Sequence, residues 1–267
     1  MRPLRVFSYG GGTQSTAALV LAVQDKIDFP HFVFANVGDD SEHPRTIAYV
    51  RTVAAPYAAA NGINLEEVQR VRRDGTVRTL YQHVMASNLK GVQIPMRFAR
   101  SGSPARRHCT IDYKIKVLGK WHREHGASAE NPAHVGIGIS WDELQRMRTS
   151  TDPERIIEYP LVDLRLTRSD CERIIREAGL PQPGRSSCWF CPYKTQREWQ
   201  RMRHEEPEVF AKAVEMEQHM ADKMEAEGEG PVTFHSKGDL AAITSPLLQM
   251  SLPTEMEDAC ESGYCMV

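Results

Sequence analysis

The sequence lacks any run of about 18 apolar residues, which argues against a helical membrane span. Its first residues, MRPLRVFSYGG, lack the apolar core and small-residue cleavage site of a secretory leader. The expected location is therefore the cytoplasm, with no membrane partner. The 10 histidines form no H-E-x-x-H and no triad spacing, so hydrolytic nucleophile chemistry finds no support. Net charge is also small, −2 from 33 Lys and Arg against 35 Asp and Glu. What remains is an ordinary globular composition: 267 residues, 41% hydrophobic and 25% charged, enough chain to bury a proper core.

The charge is unevenly spread. Residues 68–123 carry 13 Lys and Arg against two acids, Asp74 and Asp112, whereas 204–267 carry 3 basic and 14 acidic residues. The basic segment suggests an anionic partner such as a nucleic-acid substrate, with Arg97, Arg100, Arg106, Arg107, Lys114 and Lys116 grouped around Cys109. Mutual neutralisation of the two segments is the alternative.

Strand-like and helix-like runs alternate along the first two thirds. LRVFSY (4–9), HFVFANVG (31–38), INLEEVQRV (63–71), AHVGIGIS (133–140) and IIEYPLVDL (156–164) read as strands. Residues 15–25 and 46–61 read as helices, the second ended by Gly62. Thr167 and Asp170 form a capping box for a helix that Gly179 and Pro181 stop. Such alternation predicts an α/β, Rossmann-like parallel sheet with helices on both faces. The Gly-, Ser- and Arg-rich stretch 96–109 reads as a mobile loop. Beyond Cys191 the chain reads as helical and acidic, with Phe210, Ala213, Val214, Met220 and Met224 on one face.

The stretch FSYGGGTQSTAALVLAV (7–23) holds Gly10, Gly11 and Gly12 between a strand and a helix. A Walker A loop needs Lys where Gln14 stands, and a dinucleotide fingerprint needs Gly where Ser15 stands. What fits is an anion cradle: amides at a helix N-terminus, glycines that admit close approach, and hydroxyls from Ser8, Ser15 and Thr16. A plain strand-to-helix turn requiring positive φ is the alternative. Exchanging Gly11 for Val is expected to abolish nucleotide affinity and spare the fold.

Six cysteines stand at 109, 171, 188, 191, 260 and 265, and in a cytoplasmic chain they point to metal or redox chemistry. Cys188 and Cys191 form a C-x-x-C followed by Pro192. It suits a redox dithiol, half a zinc site or part of an iron–sulfur site. Cys171 shares a helix face with Ile174, Ile175 and Ala178 and reads as a small buried hydrophobe.

The glycine stretch resembles the pyrophosphate loop of the adenine nucleotide α-hydrolase superfamily, Ser-Gly-Gly-x-Asp-Ser, with Gly10 for the first Ser and Gln14 for the Asp. FANVGDDSEHPRTIAYV (34–50), GIGISWDELQRMR (136–148) and YPLVDLRLTRSDCERIIREAGLP (159–181) resemble, in order, segments of its phosphoadenosine-phosphosulfate reductase branch. The resemblance covers roughly residues 4 to 200. It implies that Ser8, Gly10 to Thr16, Asn36, Gly38, Gly138 and Asp142 bind ATP with Mg²⁺, and that Gln14, Ser15 and Arg146 act on its phosphates. It also includes the Cys-Thr-x-x-Tyr-Lys of Cys109 and the later C-x-x-C-Pro. Cys109, Cys188 and Cys191 are thereby implied as neighbours, with Cys260 or Cys265 completing a [4Fe-4S] cluster, or a Zn²⁺ site in which His108 or His235 can substitute.

The expected organisation is a nucleotide-binding domain over 1–180 and a C-x-x-C, helical and tail region over 181–267. The expected function is an ATP pyrophosphatase-type enzyme that adenylates a substrate for sulfur transfer, drawing on a sulfur donor or reductant; nucleic-acid thiolation or phosphorothioation is one form. A sulfonucleotide reductase is the second reading, although its Glu-Cys-Gly-Leu-His tail pattern is missing. A catalytically silent nucleotide- or metal-sensing protein is the third.

Overall fold

The computed structural model describes residues 3–86 and 90–245. The described strands are β1 (Arg5–Tyr9), β2 (His31–Asn36), β3 (Asn64–Gln69), β4 (Arg97–Phe98), β5 (Ala133–Ile137), β6 (Arg155–Glu158) and β7 (Val232–Thr233). The chain forms two compact units. Among the described residues, one comprises 3–77 and 110–187; the other comprises 78–86, 90–109 and 188–245.

The first unit is α/β. Its sheet has the order β3-β2-β1-β5-β6, and every pairing is parallel, with Val6 opposite both His31 and Val135. From β1 the chain steps outward to β2 and β3, then returns to β5 on the other side of β1. Strand order therefore reverses between β1 and β5, and the carboxyl ends there open a crevice where such sheets bind ligands.

Side chains alternate across the sheet. Phe7, Tyr9, Phe32 and Phe34 face helix α1 (Thr13–Val23) and share its core with Cys171, Ile174 and Ile175 of the helix Arg168–Glu177. Val6, Val33, Ala133 and Val135 form the opposite core with Trp121 of the helix Lys116–Glu124. Helix α1 lies between the sheet and the helix Arg168–Glu177, so it is apolar on nearly every side, and Ala17 to Leu21 are all buried. Each such Leu or Phe contributes about 1.5–3 kcal/mol of burial.

The helix after β2 starts at Pro44, whose fixed φ suits a first helical position, with His43 Nδ1 accepting the Arg45 amide. It passes through a π turn at Val50–Ala54 into Ala55–Ala60, and this wide turn falls where Pro56, having no N–H, would break an α ladder. The Thr167–Asp170 capping box is present, each side chain accepting the other's amide at 3.3 and 3.0 Å.

Two sequence expectations need correction. The run 156–164 is a strand only to Glu158; Pro160 then opens a short helix, Pro160–Asp163. The stretch 96–109 is not simply loop. Ile94 and Met96 are buried, and Arg97–Phe98 pairs antiparallel with β7, Arg97 opposite Thr233. The second unit also holds the helices Gln196–Glu205 and Pro207–Ala226. The latter buries Phe210, Ala213, Met216, Met220 and Met224, while Val214 is half-buried.

Candidate functional site

Between Tyr9 and Thr13 the backbone turns through Gly10, Gly11 and Gly12 at the point where strand order reverses. Gly11 has φ +74°, and a Cβ there would lie 2.8 Å from Thr46 Cγ2 and 3.3 Å from Val50 Cγ2. A Cβ on Gly12 would lie 2.8 Å from Ser186 Oγ, and one on Gly138 3.2 Å from the Ser15 amide nitrogen. Missing side chains thus let the loop after β5 and the helix after β2 close on the N-terminus of α1, whose amides carry partial positive charge. The Ser15 hydroxyl accepts from the Gly12 N–H at 3.2 Å and donates to the Gly12 carbonyl at 3.0 Å, tightening the first turn. Thr16 is fully buried with its Oγ1 3.0 Å from the Tyr9 hydroxyl, and burial pushes the Tyr9 pKa well up. Ser8 and Thr13 are buried beside them.

Gln14 reaches across to the loop after β5. Its Nε2 donates to Glu143 Oε2 at 3.2 Å and lies 3.5 Å from Ser140 Oγ. The same Glu143 oxygen accepts from Arg146 Nη1 at 2.6 Å. Arg146 is 13% exposed, and its Nε is buried without a hydrogen-bond partner among the described residues. Asp142, one position before Glu143, turns elsewhere and accepts the Arg168 amide at 3.0 Å. At the end of β2, Asn36 donates to Asp39 and Glu67, both at 2.7 Å, and accepts the Gly38 amide at 2.8 Å. Arg51 bridges the same two acids and holds both carboxyl groups below their usual range.

A cavity of about 120 Å³ runs from Ser8, Tyr9 and Gly10 beneath the helix Lys116–Glu124. Phe34, Ile115, Leu118 and Ile157 give it apolar walls, and His122 and Arg155 are among its polar groups. His122 is 3% exposed, and its Nε2 has no hydrogen-bond partner among the described residues. Burial, then the charges of Arg155 and Arg123, push its pKa down to about 4, so the imidazole is neutral at neutral pH. Lys114, also at the cavity, lies 3.5 Å from the buried Glu42 carboxylate. Tyr159 fixes the neighbouring loop by accepting from the Arg148 amide at 2.8 Å and donating to its carbonyl at 2.6 Å.

No protein-family model and no curated protein matches the sequence. Among solved structures the chain is similar to the U34-tRNA thiolase NcsA from Methanococcus maripaludis with its [4Fe-4S] cluster. The TM-score is 0.44 at 12% identity, covering 91% of this chain and 80% of that one. A likeness this distant says nothing of activity.

Cys109, Cys188 and Cys191 all belong to the second unit, and none is in a disulfide. Cys188 and Cys191 sit in a tight turn, the Cys191 amide donating to the Cys188 carbonyl at 3.1 Å. Trp189 packs against Tyr81 and Phe190, and Trp199 against Phe234. Among the described residues no group of three or more His, Cys, Asp and Glu is arranged to hold a metal ion, so these residues do not by themselves fit a cluster. Cys260 and Cys265 lie outside the described residues. Cys171 is fully buried and its thiol is pushed up to about 12, chiefly by desolvation, as suits an inert core cysteine. Among the described residues no helix is long and apolar enough to cross a membrane.

Sequence reading had no means of selecting His122, Asp39, Arg51 or Glu67. Glu143 and Arg146 both stand in the quoted SWDELQRMR run, but nothing in that run separates Glu143 from Asp142.

Proposed function

We propose that the first unit binds ATP with a divalent cation and transfers AMP to an acceptor oxygen, releasing pyrophosphate. The observation that carries this is the glycine turn itself. Side-chain-free backbone at the N-terminus of α1 and the Arg146 guanidinium, tied through Glu143 to Gln14, come together where strand order reverses.

In the proposed reaction the acceptor oxygen attacks the α-phosphorus, and the bond from that phosphorus to the β-phosphate bridging oxygen breaks. Backbone amides of residues 10 to 16 and Arg146 stabilise the charge that builds on the phosphoryl oxygens. The heterocycle is assigned to the cavity beside Gly10, where Phe34, Ile115, Leu118 and Ile157 offer an apolar face to a ring and Lys114, Arg148 and Arg155 add positive charge. A sulfur nucleophile then displaces AMP from the adenylated acceptor.

The test is pyrophosphate release from ATP by the full chain and by the Gly12→Ala variant. Gly12 has φ −108°, which alanine accepts, and its new methyl would crowd only the Ser186 Oγ, at 2.8 Å, with Ser186 Cβ and N at ordinary contact distance. Gly11→Val cannot serve, contrary to the sequence expectation that it spares the fold. Its φ of +74° and the 2.8 Å approach to Thr46 would strain the core itself. Expected is pyrophosphate release by the native chain and loss of ATP affinity in Gly12→Ala with the fold intact. Thiol-dependent sulfite release from a sulfonucleotide without pyrophosphate would favour the reductase reading. ATP binding with neither product would favour a sensor.

A further inference from the structure

We infer that Glu143 is a positioning residue: it pins Arg146 and Gln14 together over the N-terminus of α1 and so sets the direction from which Arg146 meets an anion. This rests on the reading above only for the identity of the anion, a polyphosphate.

Two independent donors converge on one oxygen, Glu143 Oε2: Gln14 Nε2 at 3.2 Å and Arg146 Nη1 at 2.6 Å. The contact joins elements that are far apart in sequence, and it exists because Gly138 lets the loop after β5 lie against Gln14 and the Ser15 amide. Glu143 is 20% and Arg146 13% exposed, so water screens this pair less than a surface bridge. The carboxylate fixes one edge of the guanidinium. The Arg146 Nε–H is left buried and without a hydrogen-bond partner among the described residues. A buried charged donor held in place and left unbonded has the form of a preorganised ligand contact.

Glu143 also supplies negative charge beside an electropositive turn. In the free protein it balances Arg146. When a polyphosphate occupies the turn, Glu143 keeps Arg146 oriented while it repels the incoming anion slightly. Removing its charge should therefore leave ground-state affinity nearly unchanged and impair the reacting geometry. A merely structural residue would instead lower stability and affinity together.

The experiment pairs Glu143→Gln with Glu143→Ala in the full chain and has two arms. The first needs no activity. Nitrogen-15 NMR of the Arg146 side chain, assigned with Arg146→Lys, should show hindered rotation and a slowly exchanging Nε–H in the native protein, both lost in Glu143→Ala. The second measures ATP dissociation and pyrophosphate release. Expected is a fall in kcat of about 10²-fold, the scale of a misplacement near 1 Å, with the ATP Kd changed by less than about threefold. A freely rotating Arg146 in the native protein would overturn the inference. So would native kcat in Glu143→Ala, or a weakened Kd with kcat unchanged. If the native chain bound no ATP, the proposed function would fail, while the NMR arm would still decide the role of Glu143.

Discussion

Gly11→Ala tests the glycine turn through stability, and its cost can be worked out from two separate features. At φ +74° an L-residue costs about 1–2 kcal/mol relative to glycine. The added methyl would sit 2.8 Å from Thr46 Cγ2, and overpacking of this kind costs about 1–3 kcal/mol. Together the loss should be about 2–5 kcal/mol. Gly12→Ala has neither term, since its φ is −108° and Ser186 Oγ can rotate away; there the change should stay under about 1 kcal/mol. Thr46→Ser removes the clashing methyl but leaves φ untouched. A double-mutant cycle between Gly11→Ala and Thr46→Ser should therefore show coupling of about 1 kcal/mol, with the backbone part remaining. The assay is urea unfolding followed by circular dichroism, with hydrogen exchange of the α1 amides reporting on the first unit alone. Equal losses at both glycines, or no coupling with Thr46, would refute the geometry argued for the turn.

The remaining predictions concern the cavity histidine and the cysteines. The folded pKa of His122 is pushed down to about 4, whereas an unfolded histidine titrates near ~6.5. Between these values the unfolded chain binds more protons, so this contribution is present above about pH 6.5 and is lost as pH falls toward 4, about 3 kcal/mol over the window. His122→Leu should flatten the urea midpoint between pH 4.5 and 7; parallel profiles would count against a neutral buried imidazole. For the cysteines, anaerobic purification with metal analysis separates the options. About four irons per chain, lost in Cys188→Ala, supports a cluster completed by residues beyond those described, one zinc supports a structural site, and neither metal leaves a dithiol.

The sheet was legible because its signals are local. LRVFSY, HFVFANVG and AHVGIGIS are short β-prone runs flanked by glycine or helix, and each forms a strand within one to three residues of the expected ends. The capping box at Thr167 was legible for the same reason: all its atoms lie within one turn. The misses depend on distant partners. YPLVDL has strand composition, yet the position of Pro160 favours a helical first turn, and Leu161 packs into the core shared with α1. Arg97–Phe98 pairs as a strand with Val232–Thr233, a contact that no local pattern encodes.

The site divides along the same line. Three consecutive glycines advertise a turn needing positive φ, and Gly11 supplies it. The polar groups around that turn are set by tertiary geometry. Asp142 and Glu143 are adjacent acids of similar reach, and the sequence resemblance favoured Asp142. In the fold, Asp142 accepts the Arg168 amide at the start of the next helix, while Glu143, with non-helical φ −118° and ψ 23° in an otherwise 3₁₀ segment, reaches Gln14 and Arg146. One irregular residue thus decides which carboxylate faces the turn. Pattern matching can locate such an acidic pair, but only the backbone path decides which member of it reaches Gln14 and which the Arg168 amide.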